Sequence, residues 1–150
     1  MSPEEYARRF NESFSRHTLN ESIGIVLLSA GEGKARAQLE FSHAVAQPTG
    51  LFHAGAIIAL ADVAATSACL AEINPAGEPR PELFPLAFQI SANLLRNTRG
   101  GKIFADAEII HSGRTTMVAN VRVTDESGKL MASVVVTLLR PKAAVKSPNT

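Results

Sequence analysis

The chain has 150 residues, a hydrophobic fraction of 45% and a formal net charge of +1. This length suits one ordinary domain with a sizeable core, so we expect a single domain over residues 1–150. A nearly neutral chain lacks the basic surface that nucleic acid binding requires. The single cysteine, Cys69, excludes an internal disulfide and a cysteine-based zinc cluster.

The N-terminal segment MSPEEYARRFNE is polar and charged, without the apolar core of a signal peptide. The longest apolar stretch is interrupted by Asp62 and Glu72, so no run of about 18 apolar residues crosses a membrane. We therefore expect a cytoplasmic protein in a reducing compartment, with no metal ion and no cofactor.

The first predicted element is a helix over residues 3–16, inside an N-terminal helical segment 1–18. Its apolar residues recur every four positions and form one stripe: Tyr6, Phe10 and Phe14. Residues 22–30 predict a strand, followed by a GEG turn. The next stretch, KARAQLEF, alternates between two faces, as a half-buried strand does; its apolar face holds Ala35, Ala37, Leu39 and Phe41.

A strongly apolar helix is predicted over roughly residues 53–72, and a Pro-rich loop over 74–82. Strands with period-two patterning follow. Their expected inner faces are Phe84, Leu86, Phe88, Ile90, Ala92 and Leu94; then Ile103, Ala105, Ala107 and Ile109; then Met117, Ala119, Val121 and Val123. After the turn at 125–128 comes the strand LMASVVVTLL, and residues 141–150 predict a disordered tail.

Sustained period-two strands joined by short turns indicate an antiparallel sheet. The helix over 53–72 is apolar nearly all round, so it has to be covered on every side. One curved sheet covers it only in part. We therefore expect a second subunit to cover the rest, which predicts a homodimer.

Asp62 stands in the middle of this apolar helix, and its neighbours on the helix surface include no cation. An unpaired carboxylate in such surroundings costs several kcal/mol or has a raised pKa. Asp62 is therefore either a functional carboxylate, or a residue that faces solvent or pairs with an arginine across an interface. Thr66, one turn later, can place its hydroxyl beside it or bond back to the helix backbone.

The segment before the helix supplies Gly50, His53, Ala54 and Gly55. A helix start offers free N–H groups and a positive dipole end, where a developing oxyanion is stabilised. His53 is either a catalytic base or a residue that packs and hydrogen-bonds at the helix start. Because nine residues separate it from Asp62, the two need not touch within one chain.

The stretch Gln47-Pro-Thr-Gly-Leu-Phe-His53-Ala54-Gly55, followed after six residues by Asp62, resembles the signature of hotdog-fold acyl-CoA thioesterases of the phenylacetate (PaaI) type. The usual pattern is Asn or Gln, then G-x-x-H-G-G, then a helical Asp or Glu nine residues after the His. The resemblance extends from about residue 22 to 139. It departs from the family at two places: Ala54 replaces a glycine, and Ala87 or Phe88 stands near the place where some relatives carry a catalytic serine.

The resemblance implies an α+β hotdog fold, in which a long antiparallel sheet wraps one central helix. It implies acyl-CoA as substrate and Asp62 as nucleophile or as base for water. Gln47 would contact the thioester or position the water. The N–H of Ala54 would hold the thioester oxygen, beside Gly55 and His53, and Thr66 would assist. It also implies a site shared across a dimer, with dimers often paired into tetramers.

Coenzyme A carries phosphates that need cations, and the candidates around strand ends and turns are Arg96, Arg99, Lys102 and Arg114. Each of these could equally be an ordinary solvated surface charge. The competing function is a hotdog module that binds acyl-CoA or a related ligand without turnover. Release of free thiol from acyl-CoAs discriminates the two.

Overall fold

The computed structural model describes residues 1–145, which form a six-stranded antiparallel sheet and three α-helices. The helices are α1 (Pro3–Ser13), α2 (Leu19–Ile23) and α3 (Ala54–Ile73). The strands are β1 (Ile25–Gly31), β2 (Lys34–Glu40), β3 (Leu86–Leu94), β4 (Lys102–Ser112), β5 (Thr116–Asp125) and β6 (Leu130–Leu139). This sheet and its long apolar helix are the architecture that the resemblance implies.

The strands lie in the order β1-β2-β4-β5-β6-β3, with every neighbouring pair antiparallel. Three short connections join strands that are neighbours in the sheet: β1 to β2, β4 to β5 and β5 to β6. Glu32 and Gly33 both have positive φ between β1 and β2, as in the hairpin turns that match strand twist. The long α3 comes between β2 and β3 in the chain, so β3 joins the far edge and β4 pairs with β2.

The inner face of the sheet matches the predicted alternation in β2, β4 and β5. The inward residues of these strands are buried: Ala35, Ala37, Leu39, Ile103, Ala105, Ala107, Met117, Ala119, Val121 and Val123. They enclose α3, of which thirteen residues are buried. By length and composition α3 could also cross a membrane, but a helix enclosed in a core meets the same criteria.

The N-terminal prediction is corrected at two boundaries. The helix ends at Ser13 rather than at 16, and residues 22 and 23 belong to α2 rather than to a strand. The Phe14 and Ser15 N–H groups both donate to the Phe10 carbonyl, which closes α1 before residue 16. Gly24 at φ 85° closes α2 with its N–H on the Asn20 and Glu21 carbonyls. The strand therefore begins only at Ile25.

Strand β3 departs from its predicted pattern because it contains a bulge. The pairing register shifts between Ala87 and Gln89, leaving Phe88 as the extra residue. Leu86 pairs with the exposed Leu139, whereas Ile90 pairs with the buried Val136, so Leu86 and Ile90 lie on opposite faces. Ile90, Ala92 and Leu94 stay on one face, as predicted.

β3 is also an edge strand, paired only with β6. Much of its apolar surface is consequently uncovered in the single chain: Leu86 is 64% exposed and Phe88 55%. At the other end of the chain, a 3-10 turn spans Lys142–Ala144. The rest of the predicted disordered tail lies outside the described residues.

Helix α1 is fixed to the opposite edge of the sheet. The Asn11 side chain donates to the Leu27 carbonyl at 2.8 Å and accepts from the Leu27 N–H at 3.1 Å. These two bonds replace a neighbouring strand at this position of the edge strand β1. Tyr6, Ala7 and Phe10 are buried beneath the helix, so α1 is a fixed part of the fold.

We expect Asn11→Ala to lower the free energy of unfolding by about 1–3 kcal/mol, because it leaves both Leu27 backbone groups without their partner. Asn120→Ala is the matched control, since Asn120 is exposed on β5 and its side chain bonds to no described residue. Urea denaturation of the two variants is the measurement. Equal stabilities would show that α1 is not fixed through Asn11.

Candidate active site

The loop before α3 is a small hairpin that sets the start of the helix. The His53 N–H donates to the Val45 carbonyl at 2.8 Å, and the Gln47 N–H donates to the Leu51 carbonyl at 2.8 Å. The Gly50 N–H closes a turn onto the Gln47 carbonyl, with Gly50 at φ 81°. This loop brings Gln47 to the same side of the molecule as the helix start.

The side chain of Gln47 is half-buried and ordered by one bond. Its amide nitrogen donates to the Thr49 hydroxyl at 2.7 Å. Its amide oxygen bonds to none of the residues that the structure describes. Gln47 thus has a free acceptor beside the helix start, which agrees with a group that orients water or substrate.

His53 caps α3. Its Nδ1 accepts the Gly55 N–H at 2.8 Å, which satisfies one of the free donors of the first turn. A side chain at position 55 would put Cβ 3.1 Å from that Nδ1, so Gly55 makes room for the ring. His53 therefore hydrogen-bonds at the helix start, one of the two sequence interpretations. Its use as a base stays a prediction, and the Gly55 N–H is already occupied.

The N–H of Ala54 is in a different situation. As the first helical residue it has no partner within α3, and no acceptor among residues 1–145 takes its hydrogen. The backbone at Ala54 does not have positive φ, so the glycine of the usual pattern is not needed here. The Ala54 N–H is thus an unoccupied donor at the positive end of a 20-residue helix.

Asp62 lies half-buried on α3, among apolar residues. Burial raises the pKa of its carboxyl group above the ordinary value, and the hydrogen bond from Thr66 opposes this shift to a smaller extent. No arginine, lysine or histidine among the described residues forms an ion pair with it. The carboxylate therefore pays a desolvation cost that this chain alone does not offset.

Thr66 supplies the one hydrogen bond that the Asp62 carboxylate receives from the described residues. Its hydroxyl lies 3.4 Å from Asp62 Oδ1, at the long limit of a hydrogen bond. The side chain is buried, and it bonds to the carboxylate rather than back to the helix backbone. Thr66 thus holds one carboxylate oxygen loosely and leaves the other open.

The helix start and Asp62 are too far apart to act on one carbonyl group within a chain. Eight residues at a rise of about 1.5 Å separate Ala54 from Asp62 by about 12 Å along the axis. A reacting carbonyl has to lie about 3 Å from both its oxyanion donor and its nucleophile. Within one chain, the Ala54 N–H and the Asp62 carboxylate therefore cannot reach the same carbonyl group.

The stripe that carries Asp62 is the open side of α3. Gly55 is exposed, and Ile58, Ala59 and Asp62 are half-buried, while most of the helix is enclosed. These positions follow the i, i+3, i+4, i+7 spacing of one helix face. Asp62 thus lies on the side of α3 that this chain's sheet does not cover.

A loop after β3 fixes the helix start from the other side. The Asn97 side chain accepts the Phe52 N–H at 3.1 Å and donates to the Phe52 carbonyl at 2.8 Å. The Phe52 ring is fully buried and contacts Phe41 edge-on, with ring centroids 5.1 Å apart. No sequence pattern indicated the role of Asn97, because its partner Phe52 is 45 residues away.

The candidate cations divide between two ends of the sheet. Arg96, Arg99 and Lys102 lie at or near the loop after β3, and Arg99 donates from Nη1 to the Thr49 carbonyl at 2.8 Å. Arg114 lies in the hairpin after β4, at the far end of an 11-residue strand. Such a strand separates the two groups by more than about 30 Å.

A cavity of about 240 Å³ opens beside Asp62. Its walls come from four parts of the chain: α1 and its C-cap, α2, α3 and the segment before β3. The lining residues are Phe10, Phe14, Thr18, Leu19, Asn20, Asp62, Val63, Thr66 and Phe84. The sequence showed the aromatic stripe of α1 but not its position beside the carboxylate, because that depends on how α1 docks.

Comparison with known proteins identifies the family. Residues 49–132, more than half of the chain, match the model of the thioesterase superfamily. A 1,4-dihydroxy-2-naphthoyl-CoA hydrolase of Listeria monocytogenes is 38% identical over 113 residues, which cover 75% of this chain and 87% of that protein.

Two solved structures agree. A Haemophilus influenzae thioesterase superposes with a TM-score of 0.77 at 27% identity, over 89% of this chain and 88% of its own. The E. coli PaaI protein from the phenylacetic acid degradation operon shows the same fold, with a TM-score of 0.77 at 21% identity, over 93% and 96% of the two chains.

The matched region contains the second part of the loop before α3, from residue 49, the whole of α3 and strands β3 to β5. It therefore includes the capped helix start and the half-buried carboxylate. The chain belongs to the thioesterase superfamily, and it is a thioester hydrolase with the hotdog fold.

Proposed function

We propose that this protein hydrolyses acyl-CoA thioesters, with Asp62 as the reacting carboxylate. The observation that carries the proposal is the half-buried Asp62, which has no cation partner in the described chain and lies at a cavity. A module that only binds a ligand gains nothing from a desolvated carboxylate. A hydrolase gains a strong nucleophile or base.

In the proposed reaction, the thioester oxygen accepts a hydrogen bond from the Ala54 N–H at the positive end of α3. This polarises the carbonyl carbon and stabilises the negative charge that develops on oxygen. Asp62 then attacks the carbon directly, expelling the CoA thiolate and leaving an anhydride that water cleaves. Alternatively, Asp62 removes a proton from a water molecule that attacks. Gln47 orients the reacting group, and Thr66 holds Asp62.

Because Ala54 and Asp62 lie about 12 Å apart in one chain, we propose that each site combines the helix start of one subunit with Asp62 of the other. Two surfaces support a homodimer. The stripe around Ile58 and Asp62 is incompletely covered, and the edge strand β3 exposes Leu86 and Phe88. Exposed apolar edge strands pair readily with another chain. As the resemblance implies, we also propose that two dimers form a tetramer.

Asp62→Asn should lower kcat by at least about a hundredfold, because it removes the base or nucleophile. The affinity for acyl-CoA should change little, since Asn keeps the shape and still accepts a hydrogen bond. Thiol release and the affinity for the same acyl-CoA are measured on one preparation. An unchanged kcat would place the chemistry elsewhere and favour a structural role for Asp62.

The same variant gives a stability test with a defined sign. Because the pKa of Asp62 is raised in the folded state, the unfolded chain ionises first as pH rises. The native state loses stability as pH rises from the ordinary Asp pKa through the raised one. Asp62→Asn should therefore match the wild type at low pH and be more stable than it near neutral pH.

Ala54→Pro removes the proposed oxyanion donor with little structural change. Proline fits the first helical position, and His53 already has the extended backbone that precedes proline, at φ −64° and ψ 136°. We expect kcat to fall by about 10²–10³, the usual effect of losing one such donor. Ala54→Gly, which keeps the N–H, is the control and should stay near the wild-type rate.

Mixing the Ala54→Pro and Asp62→Asn chains tests the shared site. After unfolding and refolding together, half of the dimers carry one chain of each kind. Each such dimer has one intact site, so the mixture should recover about a quarter of the wild-type activity if the dimer has two-fold symmetry. A mixture as inactive as its components would assign both groups to one chain.

Arg96 and Arg99 are the proposed contacts of the CoA phosphates. Both lie near the loop before α3, to which Arg99 donates a hydrogen bond at the Thr49 carbonyl. Charge reversal of the pair should raise KM for acyl-CoA much more than for the matching N-acetylcysteamine thioester, which lacks the nucleotide. Arg114→Glu tests the far end of the sheet, and Arg122→Glu, exposed on β5, is the control. Equal effects on both thioesters would reject the assignment.

A further inference from the structure

The cavity beside Asp62 has a wall made of aromatic rings. The Phe14 ring lies between two others, with centroids 5.7 Å from Phe10 and 5.6 Å from Phe84, and both pairs are tilted. Phe10 belongs to α1, Phe14 caps it, and Phe84 precedes β3. The rings thus form one continuous apolar surface, on which a flat apolar group packs well.

The position of Asp62 defines what enters this cavity. The carboxylate lines the cavity, and Thr66 and Val63 line it too. In the proposed reaction the thioester carbon lies against Asp62, so the acyl group continues from that carbon into the adjoining space. The CoA moiety extends from the opposite side of the carbonyl group, toward the helix start of the partner subunit.

The volume of the cavity limits the acyl group. At about 240 Å³ it is smaller than the roughly 300–1,000 Å³ of sites that enclose a drug-sized ligand. It accommodates an acyl group but not a whole acyl-CoA. Its aromatic wall favours a compact ring over a flexible chain, because ordering a chain costs conformational entropy.

The wall is also fixed in place. Asn11 ties α1 to Leu27 through two hydrogen bonds, and Tyr6 and Phe10 are buried against the sheet. The Phe14 N–H donates to the Phe10 carbonyl, which holds the last turn of α1. A fixed wall discriminates between acyl groups by shape, since it does not move to admit a larger one.

We infer that the N-terminal segment is the acyl-specificity element of this enzyme: Phe14, between Phe10 and Phe84, selects a compact ring-containing acyl group. This inference rests on the proposed function of Asp62. Phe14 acts by contact with the acyl group and takes no part in the bond changes. Its substitution should therefore alter the choice among acyl groups, and not only the overall rate.

The test compares benzoyl-CoA with heptanoyl-CoA, which have equal numbers of acyl carbons, and adds 2-naphthoyl-CoA as a larger ring system. The wild type should show a higher kcat/KM for benzoyl-CoA than for heptanoyl-CoA. Phe14→Ala should raise the ratio of kcat/KM for 2-naphthoyl-CoA to that for benzoyl-CoA by about tenfold or more, the usual effect of pocket size. Phe14→Trp, which fills the space, should lower that ratio.

The matched control is Phe104→Ala. Phe104 is half-buried like Phe14 but lies on the outer face of the sheet, under the Arg36 guanidinium at 4.7 Å. This variant should keep the wild-type ratios. Phe14→Leu replaces Phe14→Ala if the latter does not fold. Equal ratios in the wild type and in every Phe14 variant would overturn the inference, as would a wild-type preference for heptanoyl-CoA.

Binding measurements separate this inference from the proposed function. The affinities for the three acyl-CoAs are measured on Asp62→Asn and on the double variant that also carries Phe14→Trp. This measurement requires no turnover. If the wild type releases no thiol, the proposed function fails, yet a shift in relative affinities still supports the aromatic wall. The wild type could instead be active and depend on Asp62, while Phe14→Trp leaves the ratios of the affinities for the three acyl-CoAs unchanged. In that case only the role assigned to the aromatic wall is wrong.

Discussion

The structure depends on the enclosure of one helix, α3, whose side chains are apolar nearly all round. Such a helix has no face that favours water, so the chain has to surround it. The strands do so on most sides, and thirteen of its residues become buried. The remaining stripe, with Ile58, Ala59 and Asp62, stays partly open. The need to enclose α3 builds the core, and it leaves a carboxylate on a side of the helix that this chain covers incompletely.

The helix start and Asp62, which we propose to combine in one site, differ in how well they are hydrogen-bonded. The helix start is rigid and well bonded: His53 caps it, Asn97 holds both backbone groups of Phe52, and one N–H at Ala54 stays unoccupied. Asp62 is poorly bonded, with a single long contact from Thr66. Preorganised donors stabilise developing charge without rearranging. A desolvated carboxylate is reactive because its surroundings do not satisfy it.

The two edges of the sheet differ in what covers them. At β1 the helix α1 covers the edge through Asn11, and this docking brings Phe10 and Phe14 to the cavity beside Asp62. At β3 the edge stays open, and its apolar residues are exposed. An open apolar edge is costly in an isolated chain. We therefore propose that the first edge shapes the acyl site and the second joins two chains.

The sequence alone determined the sheet, the central helix and the candidate residues of the helix start, because these depend on local periodicity and on a short motif. It did not determine where α1 ends, since the last turn closes through two N–H groups on the Phe10 carbonyl. Nor did it determine the reversal of faces in β3, since a bulge leaves no mark on an apolar pattern. The support of Phe52 by Asn97 and the aromatic wall beside Asp62 join residues 45 or more positions apart. Only the folded chain decides such contacts, because they depend on how whole elements dock rather than on neighbouring residues.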